Sequence, residues 1–474
     1  MWIRIAALYL AILATGAQAQ STIYKRHTIE DSLPGAAFVV AGNLIGGDRP
    51  EMVVSSFGEL VAGPEGTIIP EAGKLTLFKN ASGINYPNGP LRQWQQIPIF
   101  DEAAGITFPN RPTLADVDED GDLDVIVPGG YFFDTFAGNS RGSLTWWENQ
   151  AVGRRWVRHD LLSNSPFSFH SVLYEDFTGD GIADIVTTGE DAGDASDAFD
   201  DVVETMIIPG LGGAEFGAPM TIGNGGGSLL TAYDVNEDGL MDVVSPQFFG
   251  LPLGQPFIPV DNRNAGIASF VWFENMGDGS FLHHAIGVDQ GPGFAIVPVE
   301  NLLGDGVTRF IAANHTNQNV AFRPFSEYPE PAVYEFTPAD DPRELWSVRT
   351  LTGPAHFPVE GPIGQAAPGY LGAGDLNGNG RLDIAVSGDG ARGVYWMEQG
   401  EDGNFVTRQF PSSDGYGQAG GPVITDLNNS GVLEVVFASF DQNAVSIWAQ
   451  CDRRKRVTGG LFGMLVDNLS DPGC

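Results

Sequence analysis

Five stretches of this chain carry oxygen-bearing side chains at positions one, three, five and nine of a nine-residue segment, with glycine at position six. They are Asp116, Asp118, Asp120 and Asp124; Asp176, Thr178, Asp180 and Asp184; Asp234, Asn236, Asp238 and Asp242; Asp375, Asn377, Asn379 and Asp383; and Asp426, Asn428, Ser430 and Glu434. Acids at alternate positions of a tight turn converge on one point, and the glycine permits the turn. Such a cage suits a hard divalent cation, above all calcium, which takes six to eight oxygens at about 2.3–2.6 Å. A helix–loop–helix calcium site is excluded, because it needs a bidentate glutamate at position twelve. Position twelve here is Val127, Thr187, Ser245, Val386 or Phe437, and apolar β-type runs follow. The loop at 116, with four carboxylates, is expected to bind tightest and those at 375 and 426 weakest. Two degraded copies share the frame, Asn43 to Glu51 and Asn301 to Arg309. Arg309 at position nine would repel a cation, and Gly47 and Asp48 are out of step, so no metal is expected in either.

Seven copies, starting at residues 43, 116, 176, 234, 301, 375 and 426, make a repeat array. A second signature recurs between them. Trp146-Trp-Glu-Asn149 leads to Trp156 and His159, Trp272-Phe-Glu-Asn275 to Phe281 and His284, and Trp396-Met-Glu-Gln399 to Phe405 and Arg408. Each unit therefore reads strand, acidic turn, strand, variable loop, strand, turn, strand, with no helical period. Four strands in each of seven units predict an all-β fold, a seven-bladed β-propeller. Tyr24 to Ile29 matches the last strand of a unit yet precedes the first acidic loop, and the unit after Asp426 has room for only three strands. The N-terminal strand is thus expected to complete the last blade and remove an open edge.

These two signatures resemble the FG-GAP/VCBS repeat family, the integrin-α-like calcium-binding repeats. The resemblance covers essentially all of 22–450. It implies calcium in the five good loops, at the turn between the first two strands of each blade. It leaves function open, since such propellers serve as adhesion modules, carbohydrate-binding scaffolds, lyases and dehydratases.

The seven histidines sort by the repeat. His27, His159 and His284 share one repeat position, which Arg349 and Arg408 fill elsewhere, so they read as structural; His283 is a neighbour of one of them. His170, His315 and His356 fall outside the strand signatures. By the strand order they lie in loops opposite the acidic turns, His170 and His356 before a first strand and His315 after a second. They are the candidate catalytic or binding residues, and replacing them is expected to weaken function with the melting point nearly unchanged. The acidic run Glu190 to Glu204 lies on the same face. So do the long loops 129–142, 189–203, 246–268 and 314–331, with Tyr131, Phe132, Phe133, Phe248, Phe249 and Phe257 as rings able to stack on sugars. No nucleophile elbow, phosphate loop, dinucleotide fingerprint or His-Glu-x-x-His is present.

The formal charge of -36 argues against nucleic-acid partners and attracts cations. Residues 1–19 read as a signal peptide: Arg4, an apolar run and Ala17-Gln-Ala19. No stretch is long enough to span a membrane. The chain then divides into the signal, a propeller over 20–450 and a tail over 451–474, and reads as a secreted or periplasmic monomer. Cys451 and Cys474, in an oxidising compartment, are expected to form one disulfide. Two function classes remain. One is a calcium-binding module that engages a glycan or an extracellular protein through its top loops. The alternative is a carbohydrate lyase or dehydratase using His170, His315 or His356.

Overall fold

The computed structural model describes residues 24–62, 68–80, 94–130, 142–191, 202–227, 229–248, 268–315, 329–357 and 367–450. Residues 1–19, Cys451, Cys474, Tyr131, Phe132, Phe133, Phe249 and Phe257 lie outside them. Seven antiparallel four-stranded sheets account for nearly all of the regular structure. No helix among the described residues is long and apolar enough to cross a membrane.

Blade two shows the plan. Its strands are Thr113–Ala115, Asp124–Gly129, Gly142–Gln150 and Arg155–Ser165, counted from the innermost outward. The innermost strands of successive blades touch in sequence, and that of blade seven touches that of blade one, which closes a ring. As expected, blade seven takes its outermost strand from the other end of the chain. Tyr24–Glu30 pairs antiparallel with Ala444–Gln450, Tyr24 opposite Gln450. Arg26 holds this seam by donating to the Ser412 carbonyl at 2.8 Å, and its guanidinium lies 4.3 Å from the Tyr416 ring centroid.

The hydrophobic core is not one mass but seven slabs, one between each pair of neighbouring blades. Second strands therefore have both faces buried, and they read as continuous apolar runs instead of alternating ones. In Val125-Ile126-Val127 the two valines pack toward blade one and the isoleucine toward blade three. Ile384 and Val386 likewise face blade five, and Ala385 faces blade seven.

A side-chain amide latches blade to blade. Asn149, at the end of its third strand, donates to the Leu44 carbonyl of blade one at 2.7 Å. Asn275 does the same to Phe177 at 2.6 Å, and Gln399 to Leu302 at 2.7 Å. Gln450 reaches the Leu376 carbonyl, and Asn80 the Leu427 carbonyl. Every accepting carbonyl is position two of the preceding blade's acidic loop. This explains the Asn or Gln that ends the tryptophan signature. We expect Asn275→Ala, which strands the Phe177 and Met241 carbonyls, to destabilise the protein by about 1–3 kcal/mol in urea unfolding. A change below a few tenths would remove the latch from the account.

Candidate metal loops and channel mouth

Each acidic loop is shaped by two left-handed residues. Position six is glycine, at φ 95° in Gly121, and position four is left-handed even where it is Glu119 or Glu237. The carboxylate of position one then caps the turn. Asp234 accepts from the amides of Asp238 and Gly239, and Asp375 from those of Asn379 and Gly380. Position nine clamps the loop to the sheet. One oxygen of Asp124 accepts from Val117 N–H and the other from Asn149 N–H at 2.7 Å. Asp184, Asp242 and Asp383 repeat this clamp.

In the 116 loop, carboxylate oxygens of Asp116, Asp118 and Asp120 lie within 4.8 Å of one another. Asp116 Oδ1 and Asp122 Oδ1 are buried with no hydrogen-bond partner among the described residues, and so are Thr178 Oγ1 and Asn428 Oδ1 in sister loops. Burial pushes Asp124 up to about 7 and Asp122 to about 6, with neighbouring carboxylates adding to the rise. Burial does the same to Asp242 and Asp383, to about 7, and to Glu434, to about 8. Crowded, half-desolvated acids with unspent acceptors fit a divalent cation, which would relieve both strains. A glutamate from the tryptophan signature also approaches the loop. Asn236 donates to Glu274 at 3.0 Å, Asn377 to Glu398, and Glu148 adds to the charge around Asp118. Sequence reading assigned no role to these glutamates.

The two degraded loops differ physically. In the loop at 43, Glu51 keeps the clamp, accepting from Leu44 and Ile45, without the acids at positions three and five. In the loop at 301, the Arg309 guanidinium pairs with both oxygens of Asp305, at 2.7 and 2.6 Å, and lies 3.6 Å from Glu335. The chain supplies its own cation there.

His159 and His284 lie opposite Trp146 and Trp272 in the strand register and hydrogen-bond diagonally to the signature glutamates, at 2.9 Å from Glu148 and 2.7 Å from Glu274. His159 also stacks on Trp146, centroids 4.1 Å apart. Arg408 replaces His in the same pairing, with Glu398. Their structural reading holds at these positions.

The other three histidines occupy separate settings. His170 lies within the innermost strand of blade three, Ser168–Glu175, not in a loop before it. That strand continues upward past a bulge between Phe169 and Val172. His170 is 3% exposed and its Nε2 is 2.7 Å from Glu190, itself fully buried. His315 follows the second strand of blade five, buried, with Nε2 2.6 Å from Asp389 of blade six. His356 is exposed in the turn that leaves the outermost strand of blade five, its Nδ1 2.8 Å from Thr352 Oγ1. Of the acidic run, Glu190 serves His170 and Glu204 accepts from Thr221; residues 192–201 lie outside the described residues.

Around the channel mouth, opposite the acidic turns, rings form a continuous arc. Phe440 of blade seven lies 6.2 Å from Phe57 of blade one, and Phe38 is 5.3 Å from Tyr370 of blade six. Tyr370 is 4.9 Å from Phe294 of blade five, which touches Phe248 of blade four and His315. Phe38 meets Tyr370 across blade seven because that blade has Gly420 and Gly421 at the corresponding place. A side chain on Gly420 would collide with the Ala37 carbonyl, 1.7 Å away. Bulges between first and second strands at this level turn side chains into the channel.

Arg111 opens onto the same channel. It stands five residues before its acidic loop, the repeat position held by Phe38 and Tyr370. Its neighbour Asn110 is fixed by bonds to the carbonyls of Gly130 and Phe169, both at 2.8 Å. Arg111 is exposed, yet enclosure holds its pKa below the ordinary value, with Tyr370 acting in the opposite sense. Both facts hold for a side chain that water reaches but protein walls surround. On the far side, Gln418 bonds to Asp389 at 3.3 Å and its amide donates to Asp441. Arg111, Tyr370 and Asp389 were missed from the sequence. The signal was available: counting five back from each acidic loop gives a column in which Arg111 is the one charged residue.

The fold and its loops define a seven-bladed propeller with acidic inter-strand turns. Residues 375–437 match the FG-GAP-like repeat family, so the resemblance drawn from the loops stands on that segment and on the seven blades. No curated protein matches the sequence. Among solved structures the chain is similar to BBS1N, in a crystal structure with ARL6DN soaked with lead. The identity is 10%, the TM-score 0.49, and the match covers 91% of this chain and 98% of that one. It is also similar to rhamnogalacturonan lyase YesW, at 11% identity and TM-score 0.46, covering 90% of this chain and 75% of that one. Neither likeness carries an inference about function.

Proposed function

We propose that this protein is an exported, monomeric, calcium-stabilised propeller that binds a glycan through its channel mouth. The observation that carries this reading is the arc of rings from blades four to seven and one, partly exposed at Phe57, Tyr370, Phe248 and Phe440. Ring faces at the rim of a rigid scaffold stack on sugar faces with little loss of side-chain entropy. The acidic turns on the opposite face would hold calcium and steady the blades, and the charge of -36 suits a solvated exterior. One observation favours the enzymatic alternative, a lyase or dehydratase. The His315–Asp389 pair stands beside Phe248 and Phe294, where a proton could be taken from a sugar held on the rings.

A polysaccharide panel tests both. Saturable binding to at least one member is expected, weakened roughly tenfold in Tyr370→Ala. Unsaturated products absorbing in the ultraviolet, lost in Asp389→Asn, would move the assignment to the enzyme. Absence of binding to every member would end the glycan reading.

A further inference from the structure

In a chain with 60 acids against 24 lysines and arginines, a guanidinium ordinarily finds a carboxylate. Arg158 pairs with Asp160, Arg309 with Asp305, Arg343 with Glu274, Arg349 with Glu335 and Arg408 with Glu398. Arg111 does not. Among the described residues it has no ion pair and no hydrogen bond, although it stands two residues before an innermost strand, at the end of the channel opposite the acidic turns. It is not a loose surface side chain. Asn110 on one side is 2% exposed and bonded to two neighbouring strands, and Pro112 on the other is buried. The backbone therefore aims Arg111 where Phe38 and Tyr370 also point.

We infer that Arg111 receives the carboxylate of an acidic sugar, so that the glycan bound at the channel mouth is a uronate-bearing one. This rests on the glycan reading above and narrows it. The chemistry is specific. A guanidinium presents a planar fork of donors that matches a carboxylate bidentately. A walled channel strengthens that pair relative to open water. Tyr370, partly exposed and backed edge-on by the buried Phe38 at 5.3 Å, supplies a ring face on the same rim, so one sugar ring can lie against it while its carboxylate meets the fork. The net negative charge of the protein, which repels polyanions at long range, makes a local cation necessary for such a ligand.

The test uses the full chain and tetrasaccharides of galacturonate, glucuronate, mannuronate and guluronate, each as the free acid and as its methyl ester. Esterification removes the charge and keeps the ring. Titration calorimetry at one fixed calcium concentration is run on the wild type, Arg111→Gln and Arg111→Lys. At least one free acid should bind roughly 10–100-fold more tightly than its ester. Arg111→Gln should bring the acid down to the affinity of the ester and leave the ester unchanged. Arg111→Lys should keep part of the preference. Melting points should coincide, since Arg111 bonds to no described residue. Equal affinity for acid and ester, or a preference that survives in Arg111→Gln, overturns the inference and leaves the glycan reading intact. Binding of neutral or sulfated oligosaccharides alone does the same. If no oligosaccharide of any kind binds, the glycan reading falls, and this inference with it.

Discussion

Chelating calcium is expected to lower the melting temperature of this protein by several degrees, and restoring calcium is expected to reverse the change. A ligand that binds only the folded state adds RT ln(1 + [L]/Kd), about 1.4 kcal/mol per site at tenfold saturation. Several of the five good loops acting together exceed any single surface substitution. The 116 loop should contribute most, because three of its carboxylates already converge within 4.8 Å. Asp120→Ala should therefore remove roughly one site's share, about 1.4 kcal/mol at that saturation. In the loop at 301 the cation is covalently supplied, so Asp305→Asn should leave the calcium response unchanged while loosening Arg309. Scanning calorimetry with calcium and with chelator reads all three proteins. Coincident midpoints for the wild type in the two conditions would remove metal from these loops.

His170→Ala should destabilise the fold by about 3–5 kcal/mol in urea, as breaking a buried pair does. Glu190 would be left fully buried, its Oε2 already without a hydrogen-bond partner among the described residues. Replacing both residues with leucine should recover much of the loss, since the pair is then removed whole. His356→Ala, at an exposed turn, should stay within about 0.5 kcal/mol of the parent. The expectation that all three histidine variants would keep their melting point holds only for a residue placed like His356. Loss of function in His170→Ala would report the blade, not the ligand. If His170→Ala melts with the parent, the buried pair contributes nothing and His170 returns to the list of ligand contacts.

The repeat made the architecture legible. Position-specific acids, glycines and the Trp-x-Glu-Asn signature recur because most blades solve the same local problem, a tight turn clamped by position nine. Closure was legible because one strand was surplus at the start and one was wanting at the end. The latch role of Asn149 and Asn275 was not, since their partners are backbone carbonyls, which carry no sequence signal. The channel mouth was least legible for the opposite reason. Phe38, Arg111 and Tyr370 share a repeat position but not a residue type, and what they form depends on facing one another across the ring. His170 was misplaced into a loop because the bulge at Phe169 lets the strand run past the point where its alternation breaks.

The borrowed strand of blade seven makes the order of synthesis matter. Arg26 bonds to Ser446, 420 residues further along the chain. At about 5–20 residues per second, Tyr24–Glu30 waits roughly 20–80 s for its partner to be made. A waiting strand is an invitation to wrong pairing, and charged side chains are a standard deterrent. The sequence of that strand, Tyr-Lys-Arg-His-Thr-Ile-Glu, buries only Tyr24 and His27. The segment that completes the last blade thus has to stay available until Ala444–Gln450 presents the matching edge.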